Sequence, residues 1–260
     1  MKKILHLLFV SLPLFTLSFY NSSSGMKDRK DSANHTSKGI NLENKNVAVL
    51  ELFTSQGCSS CPPADRLVET YTTKDNVIVL SFHVDYWNKL GWKDPYSSKQ
   101  YTQRQYDYAD VLHSNVYTPQ LVINGQTEMI GSDAGKIDAT LNKVFGTAPD
   151  ALLSIKTATP EKGALNITFN VSGKIENALL NIALVEKKTT TQIKAGENGG
   201  ATLSGNNVVR SFQTTGRVKE GDNNSSIDIP NGLDLKSCSV VLFLQQKGTH
   251  KIIAASQMSL

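Results

Sequence analysis

The sequence has only three cysteines and two tryptophans in 260 residues, and several patterns that would indicate a familiar function are missing. No stretch of lysine and arginine interleaves with aromatic residues, and the net charge is only +4, so nucleic acid is not expected as a partner. A second Cys-x-x-Cys pair is lacking, as is any methionine-rich or histidine-rich tract, which argues against a zinc or copper centre. No internal repeat is present. We therefore predict a globular protein without a bound cofactor.

The first 45 residues are predicted to lie outside the fold. Met1-Lys2-Lys3 precedes an almost uninterrupted apolar run from Ile4 to Tyr20, which predicts a secretory signal peptide over residues 1–20. An uncleaved membrane anchor is the alternative, because the run approaches spanning length and lacks a clear cleavage site. Residues 21–45 are polar and are predicted to form a flexible linker. The expected location is periplasmic or secreted, with membrane contact only if the apolar segment stays uncleaved.

The stretch from Val47 to Leu67 organises the rest of the chain. It begins with an apolar, β-branched run typical of a strand, and it continues through a short turn into Cys58-Ser59-Ser60-Cys61. Two prolines and apolar residues at helical spacing follow, so a helix is predicted to start directly after the cysteines. Free N–H groups at a helix start favour an anion, including a thiolate. Cys58 and Cys61 are therefore predicted to form a disulfide that exchanges with other molecules. An inert disulfide and half of a metal site are the alternatives.

The segment from Asn76 to Asp85 is a continuous apolar run, which predicts a second strand parallel to the first. His83, Asp85 and Trp87 lie at its end, where strands of open α/β sheets face the site, and they are predicted to bind substrate. Packing in the core is the alternative for these side chains. A helix is predicted from a Ser97-Ser98 cap to about residue 113.

Glu51 lies within the first apolar strand. A carboxyl group buried there would have a raised pKa and would pass protons to Cys61. A solvated position, or a pairing with Arg66 or a lysine, is the alternative. The third cysteine, Cys238, lies in a strand-like run and is predicted to be a buried, unreactive residue.

Residues 116–126 contain a second recognisable pattern. Pro119 precedes a short strand over Leu121 to Ile123, and Asn124-Gly125 is the most favourable two-residue hairpin turn. From residue 149 onward, short alternating runs are separated by glycine and asparagine, which predicts an antiparallel β-sandwich. We thus predict an α/β domain over residues 46–148 and a β-sandwich domain over 150–260, with Glu197 and Arg210 in structural contacts at the boundary.

Together these patterns resemble the thioredoxin fold, and more specifically an uncharacterised secreted thioredoxin-like family, domain of unknown function 1223. The resemblance covers about residues 46–260. The segments that carry it are residues 51–65, 81–87, 117–120, 196–200 and 207–210. It implies a thioredoxin-like α/β domain in which Cys58 attacks and Cys61 resolves, with a cis peptide before Pro119. Thr118 and Pro119 would then lie beside the disulfide and position the substrate backbone. Gly57 stands where thioredoxins themselves carry tryptophan.

The leading hypothesis is a thiol–disulfide oxidoreductase that acts on the thiols or disulfides of exported proteins. One alternative is an extracytoplasmic copper-binding module that uses Cys58 and Cys61, with or without His83. The other is a non-catalytic interaction protein in which the cysteine pair is a structural disulfide.

Overall fold

The strands and helices are those of a computed structural model that describes residues 46–260; the predicted signal peptide and linker lie outside these residues. Residues 46–260 lie in one compact unit. The helices are α1 (Pro62–Tyr71), α2 (Lys99–Leu112) and α3 (Ala134–Phe145). The strands are β1 (Ala48–Thr54), β2 (Val77–His83), β3 (Gln120–Ile123), β4 (Thr127–Ile130), β5 (Ala151–Glu161), β6 (Ala164–Gly173), β7 (Ala178–Gln192), β8 (Thr202–Arg217), β9 (Gly221–Asp228), β10 (Cys238–Gln246) and β11 (Ile252–Ser259). Over residues 46–260, no helix is both long and apolar enough to cross a membrane.

The predicted division into a thioredoxin-like α/β domain and a separate β-sandwich is wrong. The described chain is mostly β, with a mixed eight-stranded sheet in the order β11-β10-β7-β8-β2-β1-β3-β4 and a three-stranded sheet in the order β5-β6-β9. The large sheet crosses the predicted domain boundary where β2 and β8 pair in parallel at Ser81 and Val208. The Ser81 hydroxyl also donates to the carbonyl of Asn206 across this junction, at 2.8 Å.

Strands β7 and β10 of the large sheet are buried on both faces. One face, which includes Ile182, Leu184 and Leu242, packs against the three-stranded sheet. The other face, with Val185 and Phe243, packs into the same apolar cluster as helix α2. A strand with both faces covered carries a nearly continuous apolar run, and only the packing partners distinguish it from a sandwich strand.

Several local predictions are confirmed. Strands β1 and β2 are parallel, with helix α1 between them, and Thr54 pairs with His83 at the end of the ladder. Strands β3 and β4 form the predicted hairpin, but Ile123 pairs with Thr127, so three residues connect the strands rather than the predicted two. Asn124 and Gly125 both have positive φ, as its tight turn requires. Ser98 caps α2 by accepting a hydrogen bond from the backbone of Gln100. The buried position of Cys238 is also confirmed.

Candidate functional site

Cys58 and Cys61 form a disulfide between the end of β1 and the start of α1. Cys61 is the N-cap of the helix, and its carbonyl accepts the backbone N–H groups of Ala64 and Asp65. Both cysteines are 0% exposed. The Ser60 hydroxyl lies 3.4 Å from the Cys58 sulfur. The predicted disulfide is therefore present, and it is covered by the rest of the protein.

Thr118 lies beside the disulfide, as the sequence predicts. Its Oγ1 is 3.3 Å from the Cys58 sulfur and accepts a hydrogen bond of 2.9 Å from the Trp87 indole. An indole N–H can only donate, so the threonine oxygen accepts from it and its own proton is available to the sulfur. The Thr118–Pro119 peptide is cis, as predicted. The structure thus brings together Cys58, Cys61, Thr118, Pro119 and Trp87.

Glu51 is buried, but it lies on the other face of β1 from helix α1. Side chains alternate along a strand, so Leu50 and Leu52 pack against α1, whereas Glu51 faces α2. There Arg104 contacts both carboxylate oxygens, at 2.6 and 3.0 Å, and the Tyr108 hydroxyl donates to the same group. The structure therefore does not bring Glu51 together with Cys61, which opens α1.

The carboxyl group on the face of Cys61 belongs to Asp65, which the sequence analysis missed. Asp65 lies one turn after Cys61 in α1, and residues four apart share a helix face. Its Oδ2 accepts a hydrogen bond of 3.2 Å from Thr54, on β1. Burial raises the pKa of Asp65 to about 6, although the nearby His83 charge and the Thr54 bond act in the opposite direction. The acidic residue in the first turn of the predicted helix was the pattern that could have identified it.

His83 does not line an open groove, because its ring is buried against Asp94. The Nδ1 atom lies 2.7 Å from Asp94 Oδ2, and the two side chains are 6% and 0% exposed. Burial lowers the pKa of His83, but the Asp94 charge, the hydrogen bond to Asp94 and the Asp65 charge together outweigh it, so the net shift is upward. Burial likewise opposes ionisation of Asp94, yet the His83 charge and the hydrogen bonds from His83, Gln56 and Tyr96 together bring its pKa below the ordinary value. Both shifts favour the ionised pair, an imidazolium beside a carboxylate.

Asp94 connects this ion pair to the turn before the cysteines. Its Oδ2 also accepts the backbone N–H of Gln56 at 2.8 Å, and its Oδ1 accepts that of Tyr96 at 2.9 Å. Asp85, predicted to bind substrate, instead holds the first turn of α2, because the Thr102 hydroxyl donates to its carboxylate at 2.6 Å. The loop that follows β2 thus holds the turn before the cysteines in place, through the hydrogen bond between Asp94 and Gln56.

The turn between β7 and β8, residues 193–201, covers the cysteines from the other side. Asn198 donates to the carbonyls of Gln56 and Cys58, at 2.9 and 3.0 Å. The Glu197 carboxylate accepts the backbone N–H of Ser59 at 3.0 Å, and hydrogen bonds from Ser59 lower the pKa of Glu197. The sequence analysis placed Glu197 in structural contacts only. The pattern Gly-Glu-Asn-Gly-Gly between two long strands marks this turn but does not show what it contacts.

No group of three or more His, Cys, Asp or Glu side chains in residues 46–260 is arranged to hold a metal ion. His83, the third ligand considered for copper, has its Nδ1 directed at Asp94 instead. Arg210, like Glu197 expected at a boundary, pairs with Glu186 on the neighbouring strand.

Known proteins that are similar to this chain indicate a family but no activity. A family model described as "Protein of unknown function (DUF1223)" matches residues 49–245. A crystal structure of a protein from Agrobacterium tumefaciens is 31% identical, with a TM-score of 0.63, over 82% of this chain and 95% of that one. A domain of the outer membrane lipoprotein Omp28 from Porphyromonas gingivalis is 11% identical, with a TM-score of 0.26, over 43% of this chain and 95% of that one. No curated protein matches the chain.

Proposed function

The chain belongs to the DUF1223 family, whose description states no function, and we propose that it is a thiol–disulfide oxidoreductase acting on exported proteins through Cys58 and Cys61. One observation carries the proposal. The disulfide lies at a helix start, and the Thr118 hydroxyl, held by Trp87, is directed at the Cys58 sulfur. Both the hydroxyl proton and the helix N-terminus stabilise negative charge that develops on sulfur during exchange.

The proposed reaction begins when a thiolate of the substrate attacks the Cys58 sulfur. The bond between Cys58 and Cys61 breaks, a mixed disulfide forms, and Cys61 leaves as a thiolate that takes up a proton. A second thiolate of the same substrate then attacks the mixed disulfide, which leaves the substrate oxidised and the cysteine pair reduced. The reverse sequence reduces a substrate disulfide. Thr118 and Pro119 flank the sulfur that the substrate approaches, and Trp87 is a positioning residue that orients Thr118.

Asp65 is the proposed proton carrier for Cys61. It lies one helical turn away on the same face, and a carboxyl group with a pKa of about 6 exchanges protons readily near neutral pH. The proton released or taken up by Cys61 would thus pass through Asp65, which replaces Glu51 in this role.

The test uses the oxidised protein mixed with reduced, unfolded ribonuclease A, with mass spectrometry of acid-quenched samples. Cys58→Ala is expected to abolish exchange. Reduced Cys61→Ala, mixed instead with ribonuclease A that carries disulfides, is expected to accumulate a mixed disulfide on Cys58, because the resolving thiol is missing. Cys238→Ala is the control and should exchange at the wild-type rate, since Cys238 is buried away from the pair. A Cys58→Ala protein that still oxidises ribonuclease would refute the proposal.

The complete burial of both cysteines favours a second candidate, a non-catalytic protein in which the disulfide only stabilises the fold. In that case the wild-type protein would exchange no thiols with ribonuclease, and Cys58→Ser with Cys61→Ser would lower the unfolding free energy by about 2–4 kcal/mol. The two candidates therefore give opposite results in the same exchange assay.

A further inference from the structure

A cleft of about 390 Å³ lies at the opposite end of strand β2 from the cysteine pair. It is bordered by the turn between α1 and β2 and by residues of strands β7, β8, β10 and β11. The cysteine turn is at the His83 end of β2, whereas the cleft begins at Val77, six residues earlier along an extended strand, or about 20 Å away. The cleft is therefore separate from the proposed redox site.

A buried hydroxyl in this cleft has no partner. Ser239 is 0% exposed, and its Oγ makes no hydrogen bond to any described residue. An unpaired buried polar group is unfavourable, and most such groups in proteins are paired. The neighbouring Val241 and Phe243, on the same face of β10, pack in the core, so an apolar residue at position 239 would continue that pattern. A serine there provides a hydrogen-bonding group in the wall of the cleft.

The cleft also has an excess of positive charge. Lys74, Lys187 and Lys188 line it, with Asp75 as the only acidic residue in its lining. Lys74 pairs with Asp138 and Lys188 pairs with Glu69, both outside the cleft. Lys187 is half-buried and has no ion pair with any described residue. It lies two residues after Val185, the partner of Ser239, and so on the same face of the sheet.

The rest of the lining restricts the class of ligand. Asn206 and Asn207 are 5% and 8% exposed and contribute amide groups, whereas Val77 and Ile78 are the only apolar residues that border the cleft. No aromatic ring lines it, so it offers nothing on which a nucleobase would stack. Its volume falls in the range of small-molecule sites.

We propose that this cleft binds an anionic saccharide, with Lys187 on the anionic group and Ser239 and the asparagines on the hydroxyls. The anion would be either a phosphate ester or a sugar carboxylate, since an ammonium group accepts both. The proposal is independent of the redox chemistry of the cysteines.

Isothermal titration with four probes tests it: glucose 6-phosphate, glucuronate, glucose and inorganic phosphate. We expect one of the two anionic sugars to bind at least tenfold more tightly than both glucose and inorganic phosphate; which one binds identifies the anion. Lys187→Gln and Ser239→Ala should each weaken that binding at least fivefold. Lys143→Gln, an exposed lysine on α3 outside the cleft, is the matched control and should bind as the wild type does.

Ser239→Ala removes an unpartnered hydroxyl, so it should fold at least as stably as the wild type, and thermal unfolding checks this. Three results would each overturn the proposal. The first is no heat of binding from either anionic sugar at 10 mM, and the second is inorganic phosphate that binds as tightly as the anionic sugars. The third is a loss of binding that is equal in Lys187→Gln and Lys143→Gln.

Discussion

Replacing Asp65 by asparagine should stabilise the protein at neutral pH and slow its proposed chemistry. In the native protein the pKa of Asp65 is raised from 3.8 to about 6, chiefly by burial. At about 1.4 kcal/mol per pKa unit, ionised Asp65 costs the folded state about 2–3 kcal/mol, with some reduction because the side chain is not fully enclosed. Asparagine removes this cost, and its amide oxygen still accepts the Thr54 hydrogen bond.

The pH dependence gives the sign of the effect. Below pH 3.8, Asp65 is protonated in both the folded and unfolded states, so no buried charge lowers the unfolding free energy. Between pH 3.8 and about 6 the folded state holds the proton more tightly, and wild-type stability from this group falls as the pH rises. Asp65→Asn should therefore match the wild type near pH 3.5 and exceed it by about 2–3 kcal/mol above pH 7.

Urea unfolding at a series of pH values from 3.5 to 8 measures the difference in unfolding free energy. Asp138→Asn is the control, because Asp138 is an exposed carboxyl whose pKa is lowered by hydrogen bonds from Tyr71 and Lys74, so its replacement should destabilise the protein at neutral pH. The same samples are assayed for exchange with ribonuclease, which Asp65→Asn should slow about a hundredfold, the lower end of the range for loss of a proton-transfer group. A stability difference that does not change with pH would refute the reasoning about burial. Unchanged exchange would refute the proton role alone.

Three further predictions concern the surroundings of the cysteine pair and the hairpin. Asp94→Asn leaves the His83 imidazolium without its carboxylate and should lower the unfolding free energy by about 3 kcal/mol at pH 6, measured in urea. Asn198→Ala removes two hydrogen bonds that hold residues 193–201 over the disulfide, so iodoacetamide should alkylate Cys58 of the reduced protein up to about tenfold faster. Gly125→Ala should lower the unfolding free energy by about 2–4 kcal/mol, because its Cβ would lie 1.9 Å from a backbone oxygen of the β10–β11 turn and φ is +66°.

Each of these has a contradicting outcome. An Asp94→Asn protein as stable as the wild type would show that the ion pair does not stabilise the loop. Equal alkylation of Cys58 in the wild type and in Asn198→Ala would show that the turn does not limit access, with Asn166→Ala on the three-stranded sheet as the control. For the hairpin, Gly163→Ala is the matched control. Gly163 also has positive φ, but no atom lies within 4 Å of the added Cβ. Gly163→Ala should therefore lower the unfolding free energy only through backbone strain, and so by less than Gly125→Ala.

The sequence alone determined the features that depend on neighbouring residues. The strand, turn and helix around Cys58 and Cys61 follow from an apolar run, a short turn and two prolines, and the disulfide follows from the three-residue separation of the cysteines. The Asn124-Gly125 hairpin is equally local, because its turn requires two residues that tolerate positive φ. These predictions needed no knowledge of which strands pair.

Only the tertiary structure decided how the strands assemble and which residues meet. The apolar run of β7 suits a sandwich strand and a central strand equally well, and the parallel contact of β2 with β8 joins segments more than 120 residues apart. The face of β1 that α1 covers brought Thr54 to Asp65 and turned Glu51 toward Arg104. Glu197 and Asn198 reach the cysteine turn from about 140 positions away. Such contacts depend on long-range strand pairing and side-chain packing, which local sequence patterns do not encode.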